Sequence, residues 1–415
     1  MTAALDTALR PMVSTAAVSQ GGFGQLLTHG TFYSAGTQLS NVSVVLPFLC
    51  AGRGMAWLAA LMYPAYCIGK AVGNAASPCV LGWSRGQRHL VVAGTVAAMA
   101  VLVGFTATAG AAVPIALLLA SALLGLGSGL SNVAFNDIAS SRLSDARRGD
   151  LLLGQSAAGS LLAAAVTLLV VPALIHGDAA AQGMSLLWFG AAGLVAAGVA
   201  ALFVGPVRVP NDVVRQSQRE IMRDGLRAAR SQPWFRRYAL TQLVFVPVSL
   251  GTTFYSLRAA QGQDNLPVLI VVSSAALLVG SALWRAVYRS FGVRGMLRGS
   301  AAMSIAAATG CLLAETLDLW SSGWVLAAVF LLVTMANQAV YAASMNWVSL
   351  LADSRDRAAL MGLGSAVIAI ATCVVGAVVG DLALDHFDRA PVLVMLVLSL
   401  AALLVARNAP SVNRS

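Results

Sequence analysis

The stretch LVVAGTVAAMAVLVGFTATA, residues 90–109, carries no Asp, Glu, Lys, Arg or His. As a helix it would rise about 30 Å, the depth of a bilayer's hydrocarbon core. Stretches of the same kind lie at 151–174, 323–349 and 391–407, and the whole chain is 58% hydrophobic but only 10% charged, with mean hydropathy +0.80. A water-soluble domain does not need so many apolar runs of this length, so the chain reads as an all-α membrane protein. Working outward from residues 90–109, twelve transmembrane helices are expected, at about 25–50, 56–80, 90–109, 113–138, 151–174, 185–205, 237–257, 267–286, 298–316, 323–349, 359–381 and 391–407. The first is the least uniform, because His29, Tyr33, Thr37, Gln38 and Asn41 fall inside it.

Charge placement tests this count. With the N-terminus in the cytoplasm, the inner segments hold all but four of the 26 basic residues; the exceptions are Arg53, Arg258 and Arg389 outside and Lys70 within a span. That is the positive-inside bias, and shifting the register by one helix would destroy it. An integral plasma membrane protein (cell inner membrane) with cytoplasmic N- and C-termini is therefore expected. The formal charge of +10 reads as orientation in the membrane, with attraction to anionic lipid headgroups, and no nucleic-acid partner is expected. Cys50, Cys67, Cys79, Cys311 and Cys373 have no metal-ligand spacing and read as packing residues. Gly125, Gly127 and Gly129, like Gly376 and Gly380, read as places where helix backbones approach closely.

Residues 1–24 read as a cytoplasmic tail, 25–207 as a first set of six spans, 208–236 as a cytoplasmic linker, 237–408 as a second set of six, and 409–415 as a short tail. Within the linker, Val213, Val214, Ile221, Met222 and Leu226 recur near helical spacing between Arg219, Arg223, Arg227 and Arg230, which predicts an amphipathic surface helix. The two sets echo one another. Asp145, Arg147 and Gly154 precede Asp353, Arg355 and Gly362 by a constant 208 residues, the trace expected of a repeated transporter half.

With these features the chain resembles the major facilitator superfamily over roughly residues 20–408. The segment Gly82-Trp83-Ser84-Arg85-Gly86-Gln87-Arg88 keeps the glycines and basic residues of the family's loop between helices two and three, without its aspartate. Arg289-Ser290-Phe291-Gly292-Val293-Arg294 is similar to the corresponding turn of the second half, again without the acid. The resemblance implies two pseudo-symmetric six-helix bundles that rock about a central cavity lined by helices one, four, seven and ten. It also implies inner gating by Arg85, Arg88, Arg289 and Arg294, with Asp137, Asp145 or Asp353 replacing the missing acids and Arg147 and Arg355 beside them. The helix-four arginine of proton-coupled members has no counterpart in 113–136. The helix-five Gly-Pro pattern of drug/proton antiporters is missing from 151–174.

Polar residues inside the apolar runs carry the functional reading. Lys70 is the only lysine and lies mid-span, where a charge costs several kcal/mol unless it pairs or meets water. It is expected either to contact an anionic substrate or to pair with a structural carboxylate. Tyr33, Thr37, Gln38 and Asn41 on the first span, Asn132 on the fourth, Gln242 on the seventh and Asn337 and Tyr341 on the tenth are the expected substrate contacts. Spacings of four put Tyr33 with Thr37, Thr37 with Asn41 and Asn337 with Tyr341 on common faces. His29 and Asp381 are candidates for coupling or gating. No Gly-rich phosphate loop, nucleophile–base pair or metal-ligand array is present, so neither an enzyme nor a cofactor or metal is expected. The expected function is secondary transport of a small or amphipathic organic anion by a monomer, with proton symport as one mode of coupling. Efflux of lipophilic compounds or drugs, and a membrane interaction or assembly protein without transport, stand as alternatives.

Overall fold

Inside hydrocarbon a backbone must satisfy its own hydrogen bonds, and this chain does so with helices. A computed structural model of the protein describes residues 22–42, 44–51, 55–84, 86–109, 114–143, 145–174, 179–206, 218–259, 266–317, 319, 323–352, 357–384 and 389–410. Its elements are α1 (Phe23–Leu39), α2 (Val45–Ala51), α3 (Ala56–Trp83), α4 (Arg88–Ala109), α5 (Pro114–Arg142), α6 (Asp145–Ala165), a π-turn (Val166–Val170), α7 (Val171–Leu174) and α8 (Ala179–Leu202). They continue with α9 (Gln218–Ser231), α10 (Pro233–Ala259), α11 (Leu266–Thr316), α12 (Gly323–Leu351), α13 (Arg357–Leu384), α14 (Ala390–Val405) and a final 3-10 turn (Ala406–Asn408). Among the described residues seven helices are long and apolar enough to cross a bilayer. Val101, Leu119, Leu161, Leu240, Ile370 and Leu404 are each 59% to 72% exposed, a surface suited to lipid tails and not to water. The protein is an all-α integral membrane protein.

Some expected spans take a different form. The first is not continuous: α1 ends at Leu39 and α2 starts at Val45. Pro47 has no N–H to return to the preceding turn. The break is closed locally, because the amides of Val44, Val45 and Leu46 all reach the Asn41 carbonyl at 2.8–3.3 Å. The fifth span passes through a π-turn just before Pro172, where a widened turn accommodates a residue that cannot donate. The eighth and ninth expected spans are joined without a loop. Residues 266–316 are helical on both sides of Gly292, which alone leaves helical geometry at φ 66, ψ -158. A straight helix of that length would rise about 75 Å, more than twice the hydrocarbon thickness, so the chain must turn there. Gly86 at φ 94 occupies the matching short turn between α3 and α4.

Helix packing follows small residues. The closest approach joins α3 to α5, where Gly69 and Gly73 face Gly125 and Gly129. A methyl group built at Gly129 would stand 2.5 Å from the Lys70 carbonyl oxygen and 2.9 Å from the Asn74 nitrogen; one at Gly69 would stand 2.7 Å from the Ala122 carbonyl carbon. Real side chains do not fit at such distances, so the two backbones touch. Elsewhere α1 packs on α6 and α8, α4 on α5 and α8, and α10 on α12, α13 and α14, while α11 packs on α12 and α14. Two long contacts tie the early helices to the late ones, α3 with α13 and α6 with α11. In the first of these Asn74 donates to Ser365 Oγ at 3.2 Å, and Gly376 lies against Pro64.

Gly69→Ala should therefore destabilise the protein by about 1–3 kcal/mol, the usual range for overpacking. Gly94→Ala, where an added methyl meets nothing within 4 Å, should not. Thermal unfolding in detergent checks the pair, and equal transitions for both variants would contradict the seam.

Candidate functional site

Lys70 follows Gly69 directly, so the glycine seam fixes where its side chain starts. Its ammonium lies 5.0 Å from the centre of the Tyr341 ring on α12 and 6.0 Å from that of Tyr66, one turn earlier on α3. Among the described residues no carboxylate pairs with it. Cation–π contacts are worth about 0.5–2 kcal/mol each. Withdrawing an ammonium from water costs several kcal/mol, so two rings offset only part of that penalty. Lys70 is half-buried and Tyr341 is 48% exposed, so the space beside the ammonium is open to a further partner.

Around it the polar side chains converge on one oxygen. Ser128 Oγ on α5 lies 2.9 Å from the Tyr66 hydroxyl, 3.3 Å from the Tyr33 hydroxyl on α1 and 3.3 Å from Asn132 Nδ2, one turn along α5. All three groups donate toward this one oxygen, so they share its two acceptor sites. Thus α1, α3 and α5 meet at Ser128, with Lys70 beside them and Tyr341 facing from α12.

Adjacent to this cluster is a cavity of about 240 Å³ at the break between α1 and α2. Its lining includes Thr37 from the last turn of α1, Ser40 and Asn41 from the break, Tyr63 and Tyr66 from α3, and Leu124 and Leu194 from α5 and α8. Thr37 Oγ1 donates to the Tyr33 carbonyl at 2.8 Å, and Ser40 Oγ to the Gly36 carbonyl at 2.7 Å. Both hydroxyls spend their proton on their own helix and present lone pairs to the space.

The other expected contacts are dispersed. Gln38 also borders the cavity, yet its nitrogen donates to Ser160 Oγ at 2.7 Å and its oxygen accepts from Ser274 Oγ at 3.0 Å, so it braces α1 against α6 and α11. Asn337 is half-buried on α12, one turn before Tyr341. Gln242 is buried on α10, its amide nitrogen without a hydrogen-bond partner among the described residues. His29 is buried: its ring N–H donates to the Ala197 carbonyl at 2.8 Å, and its ring lies 5.1 Å from that of Phe135, tilted by 36°.

Of the gating candidates, Arg88 at the start of α4 forms an ion pair with Asp137 near the end of α5. Arg294 instead holds the residue after the final 3-10 turn, with Nε donating to the Ala409 carbonyl at 2.8 Å. Arg147 and Arg289 are exposed. Arg85, Asp353 and Arg355 lie outside the described residues, as do the side chains of Asp145 and Asp381. Tyr66 and Ser128 were not among the sequence candidates, although each lies four residues before one, Lys70 and Asn132 respectively, and so on its helical face.

A helical membrane protein with a polar centre between early and late helices is the architecture of a carrier. Residues 22–372 match the family model of the Major Facilitator Superfamily, and the chain belongs to that family. It is 48% identical over 394 residues to the uncharacterized proteins Rv2209 of Mycobacterium tuberculosis (strain ATCC 25618 / H37Rv) and Mb2232 of Mycobacterium bovis, spanning 94% of this chain and 77% of each relative. Among solved structures it is similar to a variant of the nucleoside transporter NupG, with TM-score 0.68 and 12% identity. It is also similar to a bacterial homologue of the iron transporter ferroportin in an outward-facing state, with TM-score 0.61 and 18% identity. Each of these two likenesses covers 93% of this chain and 98% of the other. At such identities the solved structures establish the fold alone.

Replacing Ser128 by Ala would strand two tyrosine hydroxyls and the Asn132 amide. These groups are part-buried, and a lost hydrogen bond costs about 0.5–1.5 kcal/mol, so the three together should lower the thermal unfolding temperature of Ser128→Ala. The same readout for Ser141→Ala, whose hydroxyl only back-bonds to its own helix at 2.8 Å, should change little; a Ser128→Ala variant as stable as wild type would contradict the hub.

Proposed function

We propose that this protein is a secondary active transporter that moves a small organic anion by alternating access. Secondary transport follows from the family; the anion follows from Lys70. The observation that carries the reading is an ammonium between α3 and α12 with tyrosines beside it and no acid paired to it among the described residues. A carboxylate or similar group would complete its solvation and draw the two helices together, which gives the ligand a preference for one conformation over another. The twelve crossings would be divided between halves 25–207 and 237–408, with 208–236 as the linker and both tails in the cytoplasm of a plasma membrane. Contacts between α3 and α13 and between α6 and α11 would serve as the seams about which the halves rock. The Arg88–Asp137 pair supports an inner gate braced within the first half.

Anion transport differs from what the names of the structural relatives state of those proteins. An iron cation would be repelled by an ammonium that lacks a neighbouring acid, and a neutral nucleoside would leave its charge unmatched. Tyr33, Thr37, Asn41, Asn132, Asn337 and Tyr341 are the proposed polar contacts near Lys70; proton symport is the proposed coupling, with His29 in reserve as a structural residue.

Losing one partner of a desolvated, hydrogen-bonded charge pair costs about 2–5 kcal/mol, or roughly 30-fold or more in affinity. A panel of short organic anions should therefore stabilise the wild-type protein against heat, Lys70→Arg partly and Lys70→Ala hardly at all. Equal stabilisation of wild type and Lys70→Ala, or stabilisation by cations alone, would overturn the reading.

A further inference from the structure

We infer that the cavity at the interrupted first span receives the hydroxyl-bearing end of the anion held at Lys70, so that the substrate is a small hydroxylated monoanion; this rests on the anion reading above. Tyr66 belongs to both places. Its ring lies 6.0 Å from the Lys70 ammonium and also walls the cavity, so one ligand can reach across it.

The lining sets the chemistry. Thr37 and Ser40 have donated their protons to backbone carbonyls, and the Tyr66 proton is engaged with Ser128. These three oxygens accept, while Asn41 in the same lining offers an amide with both a donor and an acceptor, so alcohol hydroxyls, which donate and accept, match the set. No basic side chain is in the lining, so a second carboxylate would enter unpaired, and diacids are disfavoured. Volume sets the size. About 240 Å³ holds roughly eight water-sized groups, enough for a short polyol chain and too little for a disaccharide. Leu124 and Leu194 also line the cavity and would contact the carbon skeleton.

Three six-carbon acids separate the possibilities: gluconate, with a hydroxylated chain, hexanoate, with a bare one, and adipate, with a second carboxylate. Half-saturating concentrations are read from thermal stabilisation of the purified full chain. Gluconate should bind about tenfold more tightly than hexanoate, the worth of one or two good hydrogen bonds, and adipate should be weaker than gluconate. Thr37→Val should shrink the gluconate advantage over hexanoate about fivefold, while Thr37→Ser, which keeps the oxygen, should preserve it. Hexanoate binding as tightly as gluconate, with both lost in Lys70→Ala, would overturn the cavity assignment and leave the anion reading standing. Stabilisation that survives Lys70→Ala, or none by any of the three acids, would overturn both.

Discussion

Backbone contact between α3 and α5 is the constraint on which the site depends. Four glycines let the two helices meet without intervening side chains, and the residues beside them inherit fixed positions. Lys70 starts next to Gly69 and Ser128 next to Gly129, which is why Tyr66 on one helix can reach Ser128 on the other at 2.9 Å. In a bilayer no hydrophobic force draws one helix to another, since lipid is as apolar as leucine; close packing and interhelical hydrogen bonds do that work. Here the same seam supplies both and carries the polar centre with it.

The interrupted first span complements that seam. A helix running unbroken from residue 25 to 50 would have filled the space now left beside Thr37 and Asn41. By ending α1 at Leu39 and restarting at Val45, the chain opens a polar recess within the membrane while keeping its amides bonded to the Asn41 carbonyl. Irregular backbone at membrane depth is tolerated only where it is buried in protein or lines a water-filled cavity, and a cavity with polar lining lies at this break. A charged group near Tyr66 and a polar recess without basic side chains in its lining make a site with two unlike ends.

Much of this was legible in the sequence, for physical reasons. Apolar length reports membrane residence directly, because hydrocarbon thickness fixes how many residues a helix needs. Lys70 stood out because a lone ammonium in such a run is costly, whereas the spacing that put Asn41 on one face with Thr37 failed, because α1 ends at Leu39 and Asn41 lies past it. The break after Leu39 was hidden, since hydropathy averages across Ser40, Asn41 and Pro47 without registering that they change the backbone path. The reversal at Gly292 was expected as a loop and proved to need a single residue. Gln38 looks like a ligand contact in sequence, yet Ser160 and Ser274 take both ends of its amide. Nothing in one chain's spacing tells whether a buried amide faces a neighbour or a cavity. The convergence of Tyr33, Tyr66 and Asn132 on Ser128 joins three helices, which no single period encodes.

Transport through this site requires water and solute to reach the space between Lys70 and Tyr341. Labelling of Tyr341→Cys by a charged, membrane-impermeant thiol reagent, in a chain whose native cysteines are replaced by alanine, measures that access most directly. Reaction from one side of the membrane, slowed by a bound organic anion, is the result the account predicts. A thiol that stays unreactive from both sides, with and without anion, would mean that the ammonium is sealed in protein, and would contradict it.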